Sequence, residues 1–231
     1  MKARTPIRRR RTVQQRTPKD ELMMSLALLG DSVLDNKAYT GREPDVAGHL
    51  RRLLSPEAKV TLCAVDGTTT SDLGSQIDRV PAHATHVVVS LGGNDALLNA
   101  DLLDAPARST RHALDLFRAR LDAFEQAYGW ALDAVTHLGR ATTVCTIYNG
   151  ALANGDADRA RVALMMFNDV IFRAAVARAV DVLELRLVCT EPSDFANPIE
   201  PSGTGGLKIA RAIAGAIGAG SAPHRTSRLM A

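Results

Sequence analysis

The apolar positions of the chain gather into five short runs separated by longer stretches of mixed character. The runs are "SLALLG" at 25–30, "KVTLCAV" at 59–65, "HVVVSLG" at 86–92, "ATTVCTIY" at 141–148 and "VLELRLV" at 182–188. Most are continuous rather than alternating, and several are rich in β-branched residues. That is the pattern of strands buried on both faces of a parallel sheet. Between the runs, apolar residues recur at three- and four-residue intervals, which predicts helices. "DVAGHLRRLL" puts Val46, Leu50, Leu53 and Leu54 on one face, and 109–138 puts Leu114, Phe117, Leu121 and Phe124 on one stripe. "SDLGSQIDRV" opens with a Ser-Asp cap signal. "ADRARVALMMFNDVIFRAAVARA" and "SGTGGLKIARAIAGAIG" supply two further amphipathic segments. Trp130 in the long helix is expected in the core. Asn168, interrupting an apolar face, is expected as a buried amide that braces a loop. Strand and helix alternate five times, so the expected fold is α/β: a three-layer α/β/α sandwich around a five-stranded parallel sheet with right-handed crossovers.

Sheets of this kind bind ligands beyond the carboxyl ends of their strands. There the chain keeps its small and polar residues: Gly30-Asp31-Ser32 after the first run, Asp66-Gly67-Thr68 after the second, Gly92-Gly93-Asn94-Asp95 after the third. A serine at a strand-to-helix corner is both exposed and rigidly aimed. Gly67 offers an amide N–H with no side chain in the way, and Asn94 offers a carboxamide N–H. A hydroxyl ringed by such donors describes a nucleophile with an oxyanion hole, where each donor is worth about 10²–10³ in rate. Gly93 is a further candidate for substrate binding. Asp35, Asn36 and Asp95 are expected to brace the loops. The chain contains no GxxxxGK phosphate loop and no His/Cys cluster with zinc spacing, and this chemistry requires no cofactor and no metal.

"LLGDSVLDN", "VDGTTT", "SLGGNDAL" and "NPIEPSGTGGLKIA" together resemble the four sequence blocks of the SGNH, or GDSL-type, hydrolases. The order and spacing match over 25–215, and "GGND" about 60 residues after "GDS" makes the pair specific. The resemblance implies a flavodoxin-like sheet and hydrolysis of small-molecule esters, or related acyl bonds, through an acyl-serine intermediate. It carries the nucleophile onto Ser32 and the oxyanion donors onto the Ser32 amide, Gly67 and Asn94. The last block departs from the family's Asp-x-x-His-Pro-Ser: Glu200 stands at the histidine position and Asn197 at the aspartate position. "DN", "DG", "GGNDA" and "NPIEPSGTGGLKIA" occurring together are similar to a glutamate-containing branch of the family. Glu200 is then the expected base, with Asn197 donating an amide hydrogen bond to its carboxylate and Asp194 as another possible member. A glutamate, with a reference pKa near ~4.3, is a weaker base than a histidine near ~6.5, so burial must raise it. The alternative is an inactive or slow protein that keeps the pocket as a small-molecule binding module. Leu97, Leu98, Leu102 and Leu103 hint at an apolar acyl site.

Composition adds bounds. The 231 residues suit one well-buried domain, here 23–219, and 46% hydrophobic content against 4% aromatic means a core of Ala, Val, Leu and Ile. The net charge of +3 comes from the first 20 residues, where eight Lys and Arg face one acid. Three readings of segment 1–22 stand: a basic arm touching RNA, DNA or anionic lipid, a targeting segment, or a non-native extension before Met23 or Met24. Like-charge runs without apolar residues do not pack, which favours disorder or a late start over nucleic-acid binding. Residues 220–231 are expected to be a frayed tail. No run reaches the ~18 apolar residues of a membrane span, and three cysteines without CxxC spacing predict buried free thiols, not disulfides. The expected location is cytoplasmic. Oligomeric state is not legible.

Overall fold

A computed structural model of the chain describes residues 23–219. The readings of segments 1–22 and 220–231 lie outside the described residues. Five parallel strands, β1 (Ser25–Gly30), β2 (Lys59–Leu62), β3 (His86–Ser90), β4 (Ala141–Cys145) and β5 (Asp181–Leu183), form one sheet in the order β2-β1-β3-β4-β5. Six helices connect them or close the chain: α1 (Val46–Leu53), α2 (Leu73–Ile77), α3 (Gly93–Leu98), α4 (Thr110–Thr136), α5 (Asn154–Ala177) and α6 (Gly203–Ala216). The α/β expectation holds, with helices on both sheet faces and the strand order of flavodoxin-like proteins.

The alternation of side chains along each strand sorts the core into two layers. Ala27, Leu29, Val87, Val89 and Val144 meet α2, α4 and α5 on one face. Leu26, Leu28, Val88 and Cys145 meet α1 and α6 on the other. Every residue of β1 is buried, which explains its unbroken apolar run. Side-chain oxygens set helix starts: Gly48 N–H donates to Asp45 (2.7 Å) at α1, and Gly205 N–H to Ser202 (3.2 Å) at α6. The three cysteines are buried and free.

Four strands end earlier than the apolar runs predict: β3 stops two residues short, before the turn into α3, and the other three stop for local hydrogen-bonding reasons. Beyond β2, the N–H groups of Cys63 and Ala64 both donate to Leu28 O at 2.8 Å, a bulge that breaks the ladder. Beyond β4, the backbone N–H and C=O of Ile147 pair with the Asn168 carboxamide at 2.8 and 2.9 Å instead of a strand. Beyond β5, Glu184 accepts from Arg186 N–H and from Thr146, turning Leu185–Leu187 into a 3-10 turn. Trp130 is 67% exposed, not in the core. It lies two residues from buried Tyr128 and Leu132, off the face that α4 buries.

The long stripe of α4 divides. Its buried residues begin only at Phe124, and Leu114 is exposed. At 1.5 Å per residue, a 27-residue helix far outruns a 5-residue strand. The N-terminal part of α4 therefore reaches past the sheet, on the side where β1 and β3 end.

Candidate active site

Parallel neighbours β1 and β3 diverge in connection at their carboxyl ends, so a crevice opens there. Gly30 ends β1 beside Ser90, with φ +126°, and a Cβ in its place would collide with the Ser90 carbonyl. The buried amide of Gln76 fixes this glycine: Oε1 accepts from Gly30 N–H (2.7 Å) and Nε2 donates to Gly30 O (2.8 Å). The next peptide turns sharply. Asp31 N–H donates to Ser90 O (3.1 Å), and Asp31 O accepts from Leu34 and Asp35 (3.1 and 3.0 Å). Ser32 sits at the crest of this turn, and its own N–H has no acceptor among the described residues.

Ser32 lines a cavity of about 620 Å³ together with Asp31, Gly93, Asn94 and Glu200. Asn94 Nδ2 donates one hydrogen to Thr68 O (2.9 Å), which leaves its second N–H free of that bond. The tie brings the Asp66-Gly67-Thr68 turn against α3. Gly67 is exposed and does not line the cavity, with φ +81° and open space where a Cβ would be. Its N–H also lacks an acceptor among the described residues. Asp95 braces the same turn by accepting from Thr70 N–H and Oγ1–H (3.1 and 2.7 Å).

Glu200 reaches the cavity from the loop before α6. That loop is clamped from several sides. Asn36 Oδ1 accepts from Val46 N–H (3.0 Å), while its Nδ2 donates to Pro201 O (3.2 Å), tying the serine turn's own loop to α1 and to Glu200's neighbour. Tyr148 Oη–H donates to Ile199 O (2.5 Å). Asn197 is exposed, and its Oδ1 accepts from the backbone N–H of Ile199 and Glu200 (3.0 and 2.9 Å). It therefore holds the backbone of Glu200 and not the carboxylate. Asp194 is remote from this role: it pairs with Lys208 (2.7 Å) and caps its own turn. Burial lifts its carboxyl, but Lys208 and the amides of Glu191 and Thr190 outweigh that and hold it below the ordinary value.

Electrostatically the site brings two carboxyls together, while the cation that lines the cavity, Arg159, is paired with Asp156 at 2.9 Å. Glu200 is 8% exposed, and its Oε2 is buried with no hydrogen-bond partner. Burial pushes its pKa up, Asp66 adds to this, and the hydroxyl of neighbouring Ser32 works against it as a hydrogen-bonding group. No well-formed Ser32–Glu200 bond is closed, so the carboxylate oxygen remains unpaired. Asp31 is fully buried, and its Oδ1 accepts from Val33 N–H (3.1 Å). Burial lifts its pKa to about 7 despite that bond, with the charges of Glu200 and Asp95 adding to the rise. Asp31 is the site group that the sequence motif did not single out. Its only signal was a charged residue directly after a fully apolar strand. No histidine among the described residues lines the cavity, and no His/Cys/Asp/Glu group among them is arranged to hold a metal.

The model of the GDSL-like lipase/acylhydrolase family matches residues 28–205. The chain belongs to this family and is an SGNH-type esterase. No curated protein sequence matches it. Solved structures share its fold at low identity. A catalytic mutant of an acetylxylan esterase from Geobacillus stearothermophilus has 18% identity and TM-score 0.65, covering 87% of this chain and 97% of the other. A lipase from a goat rumen metagenome has 17% identity and TM-score 0.64, covering 86% and 99%. The extracellular lipase of Streptomyces rimosus has 17% identity and TM-score 0.59, covering 84% and 99%. The family assignment does not favour a non-catalytic binding module. No helix among the described residues is long and apolar enough to cross a membrane.

Proposed function

We propose that the protein hydrolyses carboxylic esters with Ser32 as nucleophile and Glu200 as general base, in a branch of the family where glutamate replaces histidine. Ser32 Oγ attacks the ester carbonyl and its proton passes to Glu200. The oxyanion is held by the N–H groups of Ser32 and Gly67 and by Asn94 Nδ2–H, with Gly93 shaping the pocket beside them. Collapse breaks the acyl C–O bond, and Glu200 returns the proton to the departing alcohol. Water then attacks the acyl-serine, gives its proton to Glu200, and frees the acid as Ser32 recovers its proton. Asn197 is a positioning residue that acts on the Glu200 backbone.

The observation that carries this reading is the unpartnered, buried Oε2 of Glu200 in the cavity that Ser32 lines, with no histidine among the described residues there. A lone carboxylate withdrawn from water is a stronger base than a solvated one. The Ser32 amide, on the cavity and without an acceptor among the described residues, supports the oxyanion assignment; for Gly67 the support is its acceptor-free amide in the turn that Asn94 ties to α3. A fluorophosphonate probe tests it. Covalent labelling of the wild type, absent in Ser32→Ala, together with p-nitrophenyl butyrate turnover lost in that variant, is the expected result. Labelling and turnover unchanged in Ser32→Ala would overturn the assignment.

A further inference from the structure

Two side-chain acceptors on the cavity are buried without a hydrogen-bond partner among the described residues: Glu200 Oε2, assigned above as the base, and Asn149 Oδ1. The other two asparagines on the cavity are tied. Asn94 donates to Thr68 O and Asn99 to Asp95 O (2.9 and 2.8 Å). Apolar walls from Leu97 on α3, Phe117 on α4 and Leu164 and Phe167 on α5 offer Asn149 no donor. The segments that carry Asn149 and Glu200 are latched together. Tyr148 Oη–H donates to Ile199 O (2.5 Å), and Ala151 N–H donates to Pro198 O (2.8 Å). Gly150 lies so close to Pro198 that a Cβ in its place would stand 2.6 Å from that carbonyl oxygen. Asn149 directly follows one partner of the first latch and Glu200 follows the other, so the two are held on one stretch of wall. Leaving a buried acceptor unpaired costs stability. A donor that arrives during the reaction accounts for its position.

We infer that Asn149 Oδ1 and Glu200 Oε2 together hold the water that hydrolyses the acyl-serine. This rests on the reading of Ser32 as nucleophile and Glu200 as base. Before acylation, the Ser32 hydroxyl supplies the hydrogen that Glu200 takes. In the acyl-enzyme that oxygen is esterified and has no hydrogen to give. A water has two. One goes to Glu200 Oε2 and the other to Asn149 Oδ1, which leaves a lone pair of the water oxygen to face the acyl carbonyl. The water oxygen bonds to the carbonyl carbon as Glu200 takes the first proton, and the second hydrogen stays with the new acid. The tetrahedral centre then breaks its bond to Ser32 Oγ, which regains a proton from Glu200. Asn149 neither gives nor takes a proton. Its hydrogen bond fixes the orientation of the water, a restraint that raises the effective concentration of the attacking oxygen. An alcohol has one hydroxyl hydrogen, gives it to Glu200, and has none left for Asn149. Asn149 therefore favours hydrolysis over acyl transfer to an alcohol and leaves the acylation step alone.

The test is the partition of the butyryl-enzyme between water and methanol. The full chain turns over p-nitrophenyl butyrate at a fixed methanol concentration, and methyl butyrate and butyric acid are quantified for the wild type and Asn149→Ala. The expected result is a ratio of methyl butyrate to butyric acid about tenfold higher in the variant, the effect of losing one hydrogen bond to the attacking water. The rate of p-nitrophenol release in a single turnover, which reads acylation, should be unchanged. Alanine removes an oxygen that bonds nothing among the described residues, so the melting temperature should hold. Asn149→Val serves the same comparison if the alanine variant does not fold. A structural role for Asn149 would slow both products equally, so an unchanged or lower ratio overturns the inference. Ser32→Ala with full turnover, or Glu200→Gln with the wild-type rate, would sink the nucleophile or the base assignment instead. An unchanged ratio with both of those residues confirmed sinks only the role of Asn149.

Discussion

Asp31 and Glu200 face one cavity, and the charges that act on them are those of other carboxylates. Two neighbouring carboxyls resist ionising together. For Asp31 the consequence is a stability term. Its pKa is about 7 in the folded chain against 3.8 ordinarily, so the folded state holds a proton that the unfolded state has released. That contribution is complete below the unfolded value and is lost as pH rises toward 7. At about 1.4 kcal/mol per unit, the loss is at most about 4 kcal/mol. Asp31→Asn keeps an acceptor for Val33 N–H and removes the titration. Its melting temperature should exceed the wild type's at pH near 8 and approach it at pH near 4, as followed by circular dichroism. Asn94 carries a different prediction. Asn94→Ala removes one oxyanion donor and frees the Thr68 carbonyl, so kcat for p-nitrophenyl butyrate should fall about 10²–10³-fold. An unchanged kcat would take Asn94 out of the site.

Elements meet through a few buried amides, and these were the least legible part of the sequence. The apolar runs placed all five strands and their C-terminal turns, because residues buried on both faces leave an unbroken signal. They overran four strand ends: β3 by two residues, and three others where a bulge at Cys63, the Asn168 carboxamide and the Glu184 turn decide the boundary. Asn168 was expected to brace a loop and does. Gln76, which fixes Gly30, gave no sign: a polar residue in a short helix does not show which backbone it will meet. Asn36 is the clearest case of an element-level link, joining the serine loop, α1 and the loop of Glu200. Asn36→Ala leaves the Val46 amide and the Pro201 carbonyl without their partner. Urea unfolding should show a loss of about 1–3 kcal/mol, with a fall in kcat larger than any change in KM. Full activity with the same stability loss would confine Asn36 to structure.

At the scale of the whole molecule, the site is assembled from chain segments that are distant in sequence. Ser32 and Glu200 are 168 positions apart, and the order β2-β1-β3 sets the crevice between them. The blocks named these residues in advance because each is pinned to a strand exit or a helix start. The apolar part of the cavity wall was only partly legible: Leu97 and Leu103 line it, while Leu102 is buried and Leu98 is 71% exposed. Its larger walls come from helix ends whose stripe looked like ordinary core. The central claim is that a glutamate does the work of the family's histidine. The most direct measurement is kcat/KM for p-nitrophenyl butyrate against pH, for the wild type and Glu200→Gln, with Ser32→Ala as the blank. The wild type should lose rate on the acid side, with a midpoint above the ordinary glutamate value of 4.5 because burial raises Glu200. Glu200→Gln should fold, lose about 10²–10⁴ in rate, and show no such acid limb. A Glu200→Gln variant that keeps both the wild-type rate and its acid limb would contradict the account.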